Sequence, residues 1–129
     1  MAASEPIPIL WSDEHLLVVD KPARRLVVPA PGRSGPTVVD LVAAQLGERI
    51  HAVHRLDEDT TGVLVLARGD GSRAALEELF RGHRALRRYL ALAARVPSPP
   101  AGRIESRLVV GPDGVVRSRR GPSPRSRAA

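Results

Sequence analysis

The sequence predicts an α+β domain in which a mixed, largely antiparallel sheet is flanked by helices. Short Leu- and Val-rich runs alternate with two stretches of helical periodicity, and Gly- and Pro-rich turns separate them. One pair of runs flanks Gly-Pro-Asp-Gly, a strong hairpin turn. The 129 residues suffice for one domain with a modest core, which Val, Leu and Ala must fill because aromatic residues make up only 2% of the chain.

Two apolar runs predict strands in the first half of the chain. Residues 16–19 form the first run, which stops at Asp20-Lys21-Pro22 because proline ends regular pairing. Residues 23–36 contain three prolines and two glycines and are predicted as a loop. Residues 62–67 are apolar throughout, which is typical of a strand at the centre of a sheet.

Capping residues predict two helices. Thr37 is a suitable N-cap for a helix that runs to residue 45 or 46, with Asp40 in its first turn and Gly47 as its stop. Ser72 is predicted to cap a second helix, which Gly82 ends. The buried stripe expected on this second helix consists of Leu76, Leu79 and Phe80, and Glu77 is expected to pair with Arg81.

The last third of the chain predicts a strand, a hairpin and a tail. Residues 89–96 alternate between two faces, which predicts a strand in the same sheet as residues 62–67. Val109-Val110 and Val115-Val116 flank the Gly-Pro-Asp-Gly turn and are expected to pair. No apolar pattern follows, so we predict one domain over residues 1–116 and a disordered Arg-, Pro- and Ser-rich tail over residues 117–129.

Composition and charge limit the function classes. Without cysteine the chain has neither disulfides nor thiolate metal sites. No apolar run approaches the roughly 20 residues of a membrane span, and MAASEPIPILW does not look like a signal peptide, so we expect a cytoplasmic protein that does not bind membranes. The net charge of +6 is concentrated in residues 81–107 and 117–129. Such zones attract phosphate backbones, although a solvated face of an Arg-rich protein is the alternative.

The stretch HRLDEDTTG, residues 54–62, places the densest polar chemistry directly before the apolar strand. A calcium loop is excluded because Arg68 occupies the position that requires a bidentate Glu. His51, His54 and Asp57 would converge on a metal only if the segment were helical, which the Thr-Thr-Gly sequence disfavours, so we expect no metal. From the residues alone, an exposed salt-bridged turn is the simplest interpretation.

HRLDEDTTGVLVLAR resembles the signature of RluA-type pseudouridine synthases, in which His-Arg-Leu-Asp, two variable residues and Thr-Ser-Gly precede an apolar strand. Thr61 stands where Ser is usual. ILWSDEHLLVVDKPARRLVVPAPG is similar to the first strand pair of the family and its Asn/Asp-Lys-Pro turn. Residues 87–91, Arg-Arg-Tyr-Leu-Ala, resemble its Lys-x-Tyr-x-Ala strand, with Arg in place of Lys.

The resemblance implies an enzyme that isomerises uridine to pseudouridine in structured RNA, either rRNA or tRNA, without cofactor or metal. Asp57 matches the catalytic nucleophile, and a carboxylate can serve as one unaided. Arg55 matches the arginine that fills the gap left by the flipped nucleotide, and Tyr89 matches the tyrosine that packs against the target base. Arg87 and Arg95 flank Tyr89 on the expected strand face and are predicted to bind RNA.

The resemblance ends before the family's pattern does. The family's catalytic domain continues for roughly another hundred residues, with a Thr-Gly-Arg-x-His-Gln-x-Arg-like motif beside the aspartate, and nothing after Val116 matches it. We therefore expect a truncated or frame-shifted chain with little or no turnover. The alternatives are a noncatalytic RNA-binding remnant and a product without function that folds poorly.

Overall fold

The computed structural model describes residues 5–119, which belong to two compact units that divide between Arg88 and Tyr89. The first unit consists of β1 (Ile9–Ser12), β2 (Leu16–Lys21), α1 (Val38–Leu46), β3 (Ile50–Ala52), β4 (Gly62–Arg68) and α2 (Gly69–Arg81). The second contains β5 (Arg107–Val110) and β6 (Val116–Arg119). The α+β class is confirmed. Within residues 5–119 no helix is both long enough and apolar enough to cross a membrane.

The sheet of the first unit has the strand order β1-β2-β4-β3, and all of these pairings are antiparallel. The prediction that residues 62–67 form an inner strand is confirmed, because β4 pairs with β2 on one side and β3 on the other. β3 was not predicted, since its three residues are too few to show a period. Residues 23–36 contain neither helix nor strand, as expected.

The core lies between α1 and one face of the sheet. Alternate residues of β2 and β4 point to this face, because strand side chains have a period of two. Val38 and Val42 of α1, four residues apart, meet them. Each such side chain contributes about 1.5–3 kcal/mol when fully buried. The fully buried apolar residues at the centre of this cluster are Leu17, Val19, Val38, Val42, Leu64 and Leu66.

The first helix begins and ends as predicted. Thr37 and Asp40 form a capping box, in which the Thr37 hydroxyl accepts from the Asp40 N–H and the Asp40 carboxylate accepts from the Thr37 N–H at 2.8 Å. This hydrogen bonding lowers the pKa of Asp40. Gly47 ends the helix in the left-handed conformation, with φ of 68°, which glycine adopts without steric cost.

The second helix differs from the prediction at its start. α2 begins at Gly69, directly after β4, so Ser72 lies inside the helix instead of capping it. Asp70 supplies the negative charge of the first turn. The expected pair of Glu77 and Arg81 is also wrong, because Glu77 binds Arg73 and Arg81 binds Glu78. Gly82 ends the helix as predicted, and the expected apolar stripe is only half-buried.

The predicted strand over residues 89–96 is wrong. This segment has no regular secondary structure, and the side chains of Leu90 and Leu92 are fully exposed. A strand needs a neighbour for its backbone groups and a surface for its apolar face, and within residues 5–119 no strand pairs with it. It therefore does not share a sheet with residues 62–67.

The predicted hairpin is confirmed. Val110 pairs with Val116 across the Gly-Pro-Asp-Gly turn, and Asp113 closes it by accepting from the Val115 N–H and from the Arg117 guanidinium. These bonds lower the pKa of Asp113 to about 2. β6 extends to Arg119, three residues into the segment predicted as a tail. The rest of that segment, residues 120–129, lies outside the described residues.

Candidate active site

The polar stretch singled out in the sequence is the loop between β3 and β4. Leu56 is buried in the core, whereas Arg55 and Asp57 on either side of it are exposed. Because the backbone from 55 to 57 has no helical turn, burying Leu56 directs its two neighbours outward. A turn follows, in which the Thr60 N–H donates to the Asp57 carbonyl at 3.1 Å. Gly62, with φ of 112°, leads from this turn into β4.

The side chain of Lys21 binds the backbone of this loop. Its side chain is completely buried, and its ammonium group donates to the backbone carbonyls of Pro22 at 2.9 Å, Glu58 at 2.8 Å and Thr60 at 2.8 Å. All three protons of the ammonium group are therefore used. These bonds join the end of β2 to both halves of the turn that follows Asp57.

Two opposing effects act on the charge of Lys21. Burial lowers the pKa of its ammonium group, and the nearby carboxylates of Asp59, Glu58 and Asp57 raise it. Charge-assisted hydrogen bonds to the three carbonyls also favour the charged form. Within residues 5–119 the Asp57 carboxylate has no hydrogen-bond or ion-pair partner. It is therefore open to an approaching ligand, while its backbone is fixed.

Residues of the loop 23–36 also bind this turn. The Arg25 N–H donates to the Glu58 carbonyl at 3.2 Å, and the guanidinium of Arg33 pairs with the Glu58 carboxylate. The Arg25 guanidinium in turn donates to the Pro36 carbonyl at 3.2 Å, within its own loop. Glu58 thus ties the turn after Asp57 to the Pro- and Gly-rich loop.

The predicted RNA-binding residues are divided between the two units. Arg87, in the first unit, lies over the ring of Phe80 with its guanidinium carbon 5.6 Å from the ring centroid. Tyr89 and Arg95 belong to the second unit, where both are exposed, Tyr89 to 62%. Since no strand forms over residues 89–96, the expectation that Arg87, Tyr89 and Arg95 share one strand face is wrong.

The first unit also contains an open groove near the candidate loop. This groove of about 340 Å³ lies beside Thr61 and Pro22, and its lining includes Glu5, Asp20 and Lys21. Among the residues that the structure describes, no three His, Cys, Asp or Glu side chains are grouped so that they could hold a metal ion. Residues 51–57 contain no helix, and a helix is the condition under which His51, His54 and Asp57 were expected to converge. The His51 Nε2 atom lies 2.9 Å from an Asp70 carboxylate oxygen.

Comparison with known proteins assigns the chain to a family. Residues 15–128 match the family model described as RNA pseudouridylate synthase. The chain belongs to the RNA pseudouridylate synthases. The match confirms the resemblance of the HRLDEDTTG stretch and of the segments on both sides of it. It also includes residues 117–128, most of the segment predicted as a tail.

Curated relatives and a solved structure agree with this assignment. The chain is 34% identical to the chloroplastic RNA pseudouridine synthase 2 of Arabidopsis thaliana, over 88% of its own length and 34% of the relative's. It is 38% identical to the ribosomal large subunit pseudouridine synthase D of Zymomonas mobilis, over 72% of its own length and 32% of the relative's. The structure of human RNA pseudouridylate synthase domain containing 4 matches with a TM-score of 0.67 and 30% identity, over 90% of this chain and 49% of that one. The chain thus spans about a third of these curated relatives.

Sequence reasoning missed Lys21 as a site residue and treated it only as part of a turn. The signal was present, because Lys21 is the one lysine beside 19 arginines. A tetrahedral ammonium group can direct three protons at carbonyls that do not share one plane, whereas the donors of a guanidinium all lie in its plane. A lysine that persists in so Arg-rich a chain therefore indicates a position where this shape matters.

Proposed function

We propose that this chain carries the nucleophile loop of an RNA pseudouridine synthase and that Asp57 attacks a uridine in structured rRNA or tRNA. The observation that carries the proposal is the loop itself, which exposes the Asp57 carboxylate while Lys21 fixes the backbone on its C-terminal side. A rigidly held, accessible carboxylate is what covalent catalysis without a cofactor requires. The large-subunit name of one relative favours rRNA.

The proposed reaction is an isomerisation and needs no redox partner. During attack by Asp57, its carboxylate forms a bond to the nucleoside and the bond between uracil N1 and ribose C1′ breaks. The base turns, a bond forms between C5 and C1′, and the bond to Asp57 breaks, which restores the free carboxylate. The C5 proton then leaves to solvent, and N1 takes up a proton. Atoms and electrons balance, so the chemistry requires a nucleophile and a route for the C5 proton.

Arg55 is proposed to fill the space of the extruded nucleotide. It is exposed like Asp57 and lies two residues before it, with Leu56 buried between them. A guanidinium plane can stack between bases, which offsets part of the few kcal/mol that extrusion costs. Tyr89 is proposed to stack on the target base, and Arg87 and Arg95 to bind phosphates, which their exposure permits.

We further propose that residues 1–129 alone turn over slowly. The Asp57 carboxylate has no cationic partner within residues 5–119, and the segment that contains Tyr89 has no regular structure. Catalytic groups act as a unit, so loose placement of one reduces the rate by more than its own contacts. RNA binding without turnover is the second candidate, favoured by the exposed arginines of residues 84–103.

Salt-dependent RNA binding tests the interface. We expect the affinity of the full chain for a structured RNA to fall steeply with salt, and Arg87→Ala with Arg95→Ala to reduce the log–log slope by about 2. Arg49→Ala with Arg73→Ala removes the same charge from outside residues 81–107 and serves as the control. Unchanged affinity in the first double variant, together with loss of binding on deletion of residues 117–129, would contradict the proposed interface.

A further inference from the structure

His54 occupies the point at which the chain leaves the sheet and enters the Asp57 loop. The last residue pair between β3 and β4 is Ala52 with Leu66. The next backbone donor of β4 on this side, the Val65 N–H, binds the Nε2 atom of His54 at 3.0 Å instead of a strand carbonyl. The imidazole of His54, the residue before Arg55, therefore replaces the carbonyl that a neighbouring strand would offer to the Val65 N–H.

The surroundings of the ring hold it in one position and favour its neutral form. It stacks on Phe80 of α2, with centroids 4.2 Å apart and planes 15° from parallel. Since Nε2 accepts a hydrogen bond, it carries no proton, and the neutral ring holds its proton on Nδ1. Burial, and then the positive charge of Arg87, lower the pKa of His54.

We propose that His54 is a positioning residue whose neutral imidazole fixes the start of the Arg55–Asp57 segment against β4, and whose protonation releases it. A protonated Nε2 would present a second donor to the Val65 N–H, so the bond would be lost. The groups around the His54 ring are the backbone of β4, the Phe80 ring of α2, and the charged Arg87 of the segment that follows α2. The consequence for catalysis rests on the function proposed above.

Two variants separate the acceptor from the ring. His54→Gln retains an oxygen that can accept from the Val65 N–H but cannot titrate near neutral pH, whereas His54→Phe retains the stack on Phe80 but has no acceptor. A free histidine peptide, whose imidazole titrates at about 6.5, is the reference for an ordinary imidazole. If His54→Phe fails to fold, wild type and His54→Gln still give the comparison across pH.

The first measurement is amide exchange at Val65, with imidazole NMR, and it needs no turnover. We expect His54 to stay neutral, with the proton on Nδ1, to a lower pH than the reference peptide. Exchange at Val65, corrected for its intrinsic pH dependence, should become at least about tenfold faster once His54 is protonated. It should be slow at every pH in His54→Gln and fast at every pH in His54→Phe. Equal protection in wild type and His54→Phe, or titration of His54 at the pH of the reference peptide, would overturn the positioning role.

The second measurement is single-turnover release of tritium from RNA labelled at uracil C5, as a function of pH. We expect the wild-type rate to fall on the acid side as one proton binds, and this fall to be absent in His54→Gln. An unchanged acid limb in His54→Gln would overturn the catalytic consequence of the inference. No release from any variant, with the expected exchange at Val65, would contradict the proposed function and leave the positioning of the loop supported.

Discussion

Replacing Lys21 by Met isolates the contribution of its ammonium group. The substitution preserves a long, flexible side chain but leaves the carbonyls of Pro22 and Thr60 without a donor, whereas the Glu58 carbonyl keeps the Arg25 N–H. A buried acceptor left unpaired costs about 1–3 kcal/mol, so two cost at most about 2–6 kcal/mol. Met also avoids the desolvation of a buried ammonium, worth several kcal/mol, and water can replace the donor at the exposed Pro22. We expect a net loss of about 1–3 kcal/mol in the free energy of unfolding.

Urea denaturation of wild type and Lys21→Met measures this loss. Arg24→Met is the matched control, because it removes one positive charge from an exposed side chain three residues away. We expect the control to change stability by less than about 0.5 kcal/mol, as surface substitutions generally do. A Lys21→Met variant as stable as the control would refute the argument that the ammonium group holds the loop.

Three further predictions concern caps and protonation. Thr37→Ala should cost about 0.5–2 kcal/mol in urea denaturation, whereas Thr37→Ser, which retains the hydroxyl of the capping box, should cost less. The pKa of His54 in the folded state lies below the ordinary value of 6.5, so the stability that its neutral form contributes should be complete above about pH 6.5. This stability should be lost as the pH falls through the folded pKa. Urea midpoints measured across pH in wild type and His54→Gln check this. Carboxyl NMR should give Asp113 a pKa of about 2, so its stabilisation of the hairpin should be present above pH 3.8 and lost as the pH falls towards 2. Arg117→Ala should raise the pKa of Asp113.

Elements with local signals were predictable from the sequence. The first helix carries its own start and stop in Thr37, Asp40 and Gly47, and capping depends on residues three or four apart. β4 was recognisable because an inner strand is apolar on both faces. The loop proposed to carry the nucleophile was singled out by its motif, which lies within the family match over residues 15–128.

Features that depend on distant contacts were not predictable. Lys21 binds carbonyls up to 39 positions away, and no local pattern reports such bonds. The role of His54 depends on Val65 and Phe80, which sequence spacing does not bring together. Alternation over residues 89–96 predicted a strand, but a period of two describes the faces of a strand only where a neighbour is present to pair with it.

Release of tritium from RNA labelled at uracil C5, under single-turnover conditions with the full chain in excess, tests the role of Asp57 most directly. Asp57→Asn removes the proposed nucleophile, and Asp59→Asn is the matched control, since it neutralises a second exposed carboxylate of the same loop. The account predicts slow release from wild type and from Asp59→Asn, and none above the protein-free blank from Asp57→Asn. Release from Asp57→Asn at the wild-type rate would contradict the assignment of Asp57, and no release from any of the three would favour RNA binding without turnover.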